Sequence, residues 1–128
     1  MGKFISITAL IILYHTIAIA QMPPASFSEN VKKADSFLTV KQYKNAAEFY
    51  NKAFRNKEGY SIDYYSLLSA FCWDKAGYPD SALRQLYRLI YAHNFADSAS
   101  FLSFFKSSGI VRQPTFIKLV DRCVKNKK

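Results

Sequence analysis

The sequence predicts an all-α protein built from three antiparallel helical hairpins. The chain matches itself at an offset of 36 residues, as from Val31 to Leu67, so that small residues fall on small or aliphatic ones and aromatic residues on large apolar ones. Apolar residues beyond residue 26 recur with helical spacing, and no period-two alternation is long enough to indicate a strand. Repeat periods in the thirties are typical of stacked helical hairpins, each of which buries its apolar face against a neighbour.

The two matching units carry related residues at eight positions. In the first unit these residues are Val31, Ala34, Phe37, Ala46, Ala47, Tyr50, Ala53 and Phe54. In the second unit they are Leu67, Ala70, Trp73, Ala82, Leu83, Leu86, Leu89 and Ile90. We expect the small residues to let paired helices approach closely and the aromatic residues to fill the space between them.

Residues 1–20 are predicted to be a secretory signal peptide. Lys3 supplies a short positive start, residues 4–19 are mostly apolar, and the Ala-Ile-Ala sequence at 18–20 offers small residues where signal peptidase cleaves. The apolar run is shorter than the roughly 20 clean apolar residues of a membrane span. We therefore expect cleavage before Gln21, no stable membrane insertion afterwards, and export to the periplasm or the extracellular space.

The mature chain is predicted to be one small domain. Removal of 20 residues from the 128 leaves 108, which is enough for one hydrophobic core but not for two. Residues 21–25, with two consecutive prolines, are expected to form an extended leader, residues 26–125 the helical domain, and residues 126–128 a basic tail.

Local signals mark the ends of the first three helices. Ser26 followed by Glu29 indicates a capping box at the start of the first helix. Gly59 separates the two hairpins, and Ser61 or Asp63 can cap the third helix. The first helix is predicted over residues 27–40, a short turn at 41–42 follows, and the second and third helices are predicted over residues 43–56 and 62–76.

Glycine and proline mark the remaining helices. Gly77 can take the left-handed conformation that commonly ends a helix, and Pro79 suits the first turn of a fourth helix over residues 79–92. Asp97 or Ser98 caps a shorter fifth helix. Gly109 is expected to stop that fifth helix, and Pro114 to open the sixth.

The spacing of small and aromatic residues resembles the tetratricopeptide repeat (TPR). That pattern sets a small residue and an aromatic on the first helix of a unit, then alanine, an aromatic or leucine, and alanine on the second. The residues at these positions are Ala34, Phe37, Tyr43, Ala46, Tyr50 and Ala53 in the first unit, and Ala70, Trp73, Gly77, Ala82 and Leu86 in the second. The chain departs from the pattern in its spacing of 36 residues, in Ser69 and Leu89, and in Glu58 and Asn94 at the usual proline positions.

The C-terminal segment is similar to the closing unit of repeat arrays in exported bacterial proteins. The similarity rests on a Pro-x-Phe-x-x-Leu pattern, here Pro114, Phe116 and Leu119. Together the two resemblances imply an α-α superhelix, a TPR-like solenoid of three hairpins. They also imply a non-enzymatic scaffold that binds a peptide or protein segment in its concave groove.

The resemblance assigns the groove to exposed faces of the first helix of each unit. Carried over position by position, the groove residues are Val31, Asp35, Leu38, Tyr64, Leu67, Phe71 and Asp74. An extended or helical apolar segment is the expected ligand, with Tyr64 and Phe71 as anchors because aromatic residues dominate binding hot spots. The alternative is that these side chains pack against the neighbouring hairpin.

Two other functions remain open from the sequence. An apolar face of Phe101, Phe104 and Phe105 could drive self-association as a structural subunit of an envelope assembly. The net charge of +9 is compatible with a basic surface that binds acidic lipid or polysaccharide. That surface would consist of Arg112, Lys118, Arg122 and the C-terminal tail. Export argues against nucleic acid as the partner.

Catalytic, cofactor and metal sites are not expected. His93 is the single histidine beyond the signal peptide, no serine lies in a glycine-flanked elbow, and the glycines are too scattered for a phosphate loop. Metal ligands are not clustered. Cys72 and Cys123 both fall within predicted helices and are expected to be buried thiols, although export leaves a disulfide between them open.

Overall fold

In a computed structural model that describes residues 26–55 and 63–128, the protein is all-helical, which confirms the predicted class. Those residues contain six α-helices and one short 3₁₀-helix, and neither range contains a strand. The helices are α1 (Phe27–Thr39), α2 (Tyr43–Phe54), α3 (Asp63–Lys75), α4 (Pro79–Ala92), α5 (Ser98–Phe105), the 3₁₀-helix (Gly109–Arg112) and α6 (Pro114–Lys125). The predicted signal peptide, the leader, Gly59 and Ser61 lie outside the described residues.

Successive helices pack against each other through the first four elements. The helix α1 lies against α2, α2 against α3, and α3 against α4. The C-terminal pair joins differently, because α5 also lies against α3 and α6 also lies against α4. The chain thus forms two sequential hairpins followed by a third pair that packs against both helices of the second hairpin.

The N-terminus of α1 carries the capping box that the sequence predicts. The Ser26 hydroxyl accepts a hydrogen bond from the Glu29 amide at 3.2 Å, and the Glu29 carboxylate accepts one from the Ser26 amide at 2.8 Å. Two of the amides that a helix start leaves without an intrahelical partner are satisfied in this way. Asp97 plays a similar part for α5, since its carboxylate accepts a hydrogen bond from the Ser100 amide at 3.0 Å.

The same left-handed turn ends α1 and α3. Lys41 has a φ of 59° and Gly77, its counterpart 36 residues later, has a φ of 86°. In both turns the amide of the next residue donates to the carbonyl of an aromatic residue, Phe37 or Trp73, at 2.9 Å. This geometry is the Schellman type of helix ending. The sequence predicts a left-handed ending at Gly77 and only a short turn at residues 41–42.

Substitutions at these two equivalent turn positions are expected to change the free energy of unfolding in opposite directions. We expect Lys41→Gly to raise the free energy of unfolding by about 0.5–1 kcal/mol, because a side chain is strained in the left-handed region. Gly77→Ala should lower it by about 1–2 kcal/mol. Since a Cβ at Gly77 would meet nothing within 4 Å, backbone strain rather than a steric clash causes this loss of stability. Urea unfolding followed by circular dichroism measures both changes.

Gly109→Ala is the matched control for these variants. A Cβ at Gly109 also meets nothing within 4 Å, but the residue does not have a left-handed φ. We expect no loss of stability there. A loss at Gly109→Ala equal to that at Gly77→Ala would contradict the strain argument.

The two hairpins bury equivalent positions. Ala34 and Ala70 are fully buried, as are Ala46 and Ala82. Four further pairs are buried in both units: Val31 and Leu67, Ala47 and Leu83, Tyr50 and Leu86, Ala53 and Leu89. The internal repeat found in the sequence is therefore also a repeat of turn geometry and of core position.

The core consists of two clusters joined by α3. The N-terminal cluster comprises Ala34, Ala46, Ala47, Tyr50 and Cys72, and the C-terminal cluster is formed mainly by α3, α4, α5 and α6. Phe71 and Trp73 on α3 pack against both clusters. A helix with apolar contacts on opposite sides has little amphipathic character, which fits the central position of α3.

Three features of the C-terminal pair differ from expectation. The helix α5 ends at Phe105, four residues before Gly109, which instead begins the 3₁₀-helix. The exposed face predicted for Phe101 and Phe105 is wrong, because both side chains are fully buried. Asn126, expected in the tail, donates hydrogen bonds of 2.9 Å to two backbone carbonyls near the end of α4 and so fastens α6 to that end.

Candidate functional site

Three aromatic rings form a connected surface on α3 and α5. Tyr64 and Phe71 lie on α3, and the ring of Phe104 on α5 contacts both. The ring centroids of Tyr64 and Phe104 are 6.3 Å apart at an interplanar angle of 67°, and those of Phe71 and Phe104 are 6.3 Å apart at 70°. Edge-to-face contacts of this kind stabilise aromatic pairs beyond their area of burial. We call Tyr64, Phe71 and Phe104 the aromatic surface.

The geometry of two helices positions the aromatic surface. Tyr64 and Phe71 are seven residues apart, so α3 presents them on one face, two turns from each other. Phe104 reaches both rings because α5 lies against α3. Tyr43 extends the row, with its ring 6.2 Å from that of Phe71, and the Lys75 ammonium lies 5.6 Å from the Phe71 ring centroid.

Tyr64 is the accessible member of this surface. Its side chain is 57% exposed, whereas Phe71 and Phe104 are half-buried. A neighbouring tyrosine, Tyr65, supports Tyr64 with a ring contact of 5.5 Å. Tyr64 therefore contacts rings on both α3 and α5 while it presents more than half of its surface to solvent.

Four of the five remaining predicted groove residues are buried or half-buried. Val31 and Leu67 are buried in the core, which leaves little of either side chain for a ligand. Leu38 is half-buried against the N-terminal cluster, and Asp74 is half-buried on α3. Of the seven predicted residues, Tyr64 and Phe71 are the two that share a ring partner.

Asp35, which the resemblance assigns to the groove, also makes a hydrogen bond within the first hairpin. Its carboxylate accepts a hydrogen bond of 2.6 Å from the hydroxyl of Tyr50, whose side chain is fully buried between α1 and α3. Burial, together with this hydrogen bond and the nearby carboxylate charge, raises the pKa of Tyr50 well above its usual range. Asp35 thus stabilises the first hairpin while part of its side chain remains exposed.

Sequence reasoning missed Phe104 as a member of this surface and assigned it to a self-association face. Phe101 and Phe105 are one turn apart and point into the core, which places Phe104 on an adjacent side of α5. Helical spacing alone could have separated the three phenylalanines in this way. The sequence has no signal for the docking of α5 on α3, which brings Phe104 to Tyr64.

A buried serine links the two hairpins. The Ser69 hydroxyl donates to the side-chain oxygen of Asn51 at 2.9 Å, which joins α3 to α2. Ser69 is fully buried and occupies the position where the TPR pattern has leucine. A buried hydroxyl needs such a partner, because leaving it without one costs roughly 1–3 kcal/mol.

The two cysteines are buried in the core, and the histidine lies near a carboxylate. Cys72 and Cys123 are free buried thiols in different core clusters, as the sequence favoured, and burial raises the pKa of Cys72 to about 12 and also raises the pKa of Cys123. His93 is at the C-terminal end of α4, with its Nδ1 atom 3.9 Å from the Asp63 carboxylate. Within residues 26–55 and 63–128, no group of three potential metal ligands lies together.

Compared with known proteins, the chain matches no family model, no curated protein and no solved structure. None of the helices in the described part of the chain combines the length and the apolar character that crossing a membrane requires.

Proposed function

We propose that the protein is an exported, non-enzymatic scaffold with a TPR-like superhelix, which binds a peptide or protein segment on the aromatic surface. The observation that carries the proposal is the 57% exposure of Tyr64 beside the ring of Phe104. Aromatic side chains are among those that supply most of the binding energy in protein interfaces. A partner that covers Tyr64 would bury the exposed part of its ring against Phe104 and Tyr65.

The repeat of turn geometry supports the superhelical part of the proposal. Lys41 and Gly77 end the first helix of each hairpin in the same way, and the buried positions repeat with them. Repeated hairpins that stack in one direction form extended binding surfaces. Support for export comes from the apolar run at residues 4–19 and the Ala-Ile-Ala sequence at 18–20, which lie outside the described residues.

The chemistry of the surface favours an apolar anchor on the ligand. Tyr64, Phe71 and Phe104 offer ring edges and faces, and the nearby Lys75 already lies over the Phe71 ring. A leucine or aromatic side chain of an extended or helical segment would pack against these rings.

A displayed library of random peptides tests the proposal. We expect the wild-type chain to select peptides with an apolar anchor, and Tyr64→Ala to weaken their binding at least tenfold, measured by fluorescence anisotropy. Tyr87→Ala is the matched control, because that tyrosine is 53% exposed but lies on α4. Circular dichroism checks that both variants keep the helical content of the wild type.

Two outcomes would overturn this assignment. Peptides that bind both variants equally would show that the aromatic surface is not the site. A concentration-dependent dimer of the chain, disrupted by Tyr64→Ala and unaccompanied by peptide selection, would replace the proposal with the self-association alternative.

A further inference from the structure

The exposed sides of α4 and α6 form a basic surface distinct from the aromatic surface. Because α4 lies against α6, exposed residues that recur at intervals of three and four on each helix are brought side by side. We call this surface the α4–α6 face. Its charged and aromatic members are Arg84, Tyr87, Arg88 and Tyr91 on α4, and Lys118, Asp121, Arg122 and Lys125 on α6.

Contacts across the two helices make the α4–α6 face continuous. The rings of Tyr87 and Tyr91 are stacked, with centroids 4.4 Å apart and an interplanar angle of 23°. The guanidinium carbon of Arg122 lies 5.3 Å from the ring centroid of Tyr91. An open cleft of about 300 Å³ runs beside them, lined by Tyr91, Lys118, Asp121, Arg122 and Lys125.

Positive charge dominates this face. Its five cations are accompanied by Asp121 and, at the N-terminal end of α4, by Asp80. Within the described part of the chain, none of the five lies within ion-pair distance of a carboxylate. An excess of cations on one face attracts an anionic partner, whose charge would relieve their mutual repulsion.

Exposed apolar side chains flank Asp121 on the side of α6 away from Arg122. Ile117 and Val124, two turns apart on α6, are 51% and 48% exposed. With Tyr87 and Tyr91, they make up half of the large hydrophobic side chains that are strongly exposed in the described residues. A soluble polyanion would need only the cations, whereas an anionic bilayer surface also takes up aliphatic and tyrosine side chains at its interface.

We propose that the α4–α6 face docks the protein peripherally on an anionic lipid bilayer. The cations would contact the lipid headgroups, and Tyr87, Tyr91, Ile117 and Val124 would enter the interfacial layer. The aromatic surface lies on α3 and α5, so the protein could bind the bilayer and a peptide at the same time. This inference stands independently of the proposed peptide site.

Vesicle flotation with the mature chain, residues 21–128 after the predicted cleavage, tests the inference. The measured quantity is the ratio of binding to phosphatidylglycerol–phosphatidylcholine vesicles over pure phosphatidylcholine vesicles. We expect a large ratio that falls as salt rises. The triple variant Arg88→Gln, Lys118→Gln and Arg122→Gln should reduce it roughly 100-fold, about fivefold for each cation near the surface.

A charge-matched variant separates this face from net charge alone. Lys32→Gln, Lys41→Gln and Lys106→Gln remove three exposed cations from other parts of the protein. We expect these changes to leave most of the vesicle preference intact. Equal losses in the two triple variants, or a wild-type ratio near one, would overturn the proposal.

A second variant distinguishes a bilayer from a soluble polyanion. Ile117→Ser with Val124→Ser keeps every charge, and both side chains lie outside the core. We expect about a tenfold loss of binding to the anionic vesicles and no loss of binding to dextran sulfate. Unchanged vesicle binding by this double variant would contradict bilayer docking and would identify the face as a site for soluble polyanions.

Discussion

Replacing Phe101 by alanine is expected to lower the free energy of unfolding by about 3–5 kcal/mol, among the largest losses from one substitution in this protein. The Phe101 ring is fully buried and stacks on Phe116 at 5.0 Å with an interplanar angle of 12°. It also lies 5.9 Å from the Phe105 ring. Because α5 spans only eight residues, it cannot readily shift to fill the cavity without losing these contacts. Guanidinium unfolding monitored by circular dichroism measures the loss.

Leu102→Ala is the control for this substitution. Leu102 is the next residue of α5 and is 43% exposed, so its truncation should cost less than about 1 kcal/mol. Similar losses for the two variants would mean that α5 contributes through its helicity rather than through the Phe101 ring. A loss below about 1 kcal/mol at Phe101 would contradict its place in a tightly packed core.

The first two hairpins could be predicted from sequence because their ends depend on local chemistry. The capping box at Ser26 and Glu29, the left-handed glycine at Gly77 and the proline at Pro79 each act within a few residues of their own position. Such signals determine where a helix begins or ends with little influence from distant contacts. They account for the close agreement between the predicted and observed bounds of α1, α3 and α4.

The C-terminal pair could be predicted only in part, because its arrangement depends on distant contacts. Asn126 donates to the carbonyls of Ile90 and Phe95, which are 36 and 31 residues away in sequence. Phe101 meets Phe116 through the fold rather than through helical spacing. Helical periodicity does not indicate such contacts, so the helices could be predicted from the sequence but the docking of α6 on α4 could not.

The candidate site, too, could be predicted from sequence only in part, because some of its contacts depend on distant residues. The common face of Tyr64 and Phe71 follows from their seven-residue spacing on one helix. The contribution of Phe104 depends on the angle at which α5 meets α3, and the engagement of Asp35 depends on the hydroxyl of Tyr50. The sequence repeat does not indicate the hydrogen bond between Tyr50 and Asp35. The equivalent residues of the next unit, Leu86 and Phe71, are both apolar and cannot make it.

Tyr50→Ala, like Phe101→Ala, replaces a large buried side chain with a small one. It is expected to lower the free energy of unfolding by about 3–5 kcal/mol. The ring is fully buried in the N-terminal cluster and contacts the Tyr65 ring of α3 at 6.0 Å. Tyr50→Phe keeps the ring and should cost only about 0.5–1.5 kcal/mol, because the Asp35 carboxylate that loses its donor can still be hydrated. Urea unfolding at pH 7 measures both variants.

The dependence of stability on alkaline pH should report the contribution of the buried Tyr50 hydroxyl. The native pKa of Tyr50 is raised above its ordinary value of 10.0, so the folded state holds the phenolic proton more tightly than the unfolded state does. Its contribution to stability is complete below pH 10 and is lost as pH rises from there toward the raised native pKa. We expect Tyr50→Phe to lessen this alkaline loss of stability, and an unchanged slope above pH 10 would contradict the assignment.

Asp35→Ala tests the other partner of the hydrogen bond. It leaves the Tyr50 hydroxyl buried without its acceptor, which costs roughly 1–3 kcal/mol, more than the loss of the hydroxyl itself in Tyr50→Phe. The double variant Asp35→Ala with Tyr50→Phe removes donor and acceptor together. It should therefore be more stable than Asp35→Ala alone, because no buried polar group then lacks a partner. A double variant as unstable as the sum of the two single variants would show that the two groups act independently, and Asp35 would then be free to serve the groove.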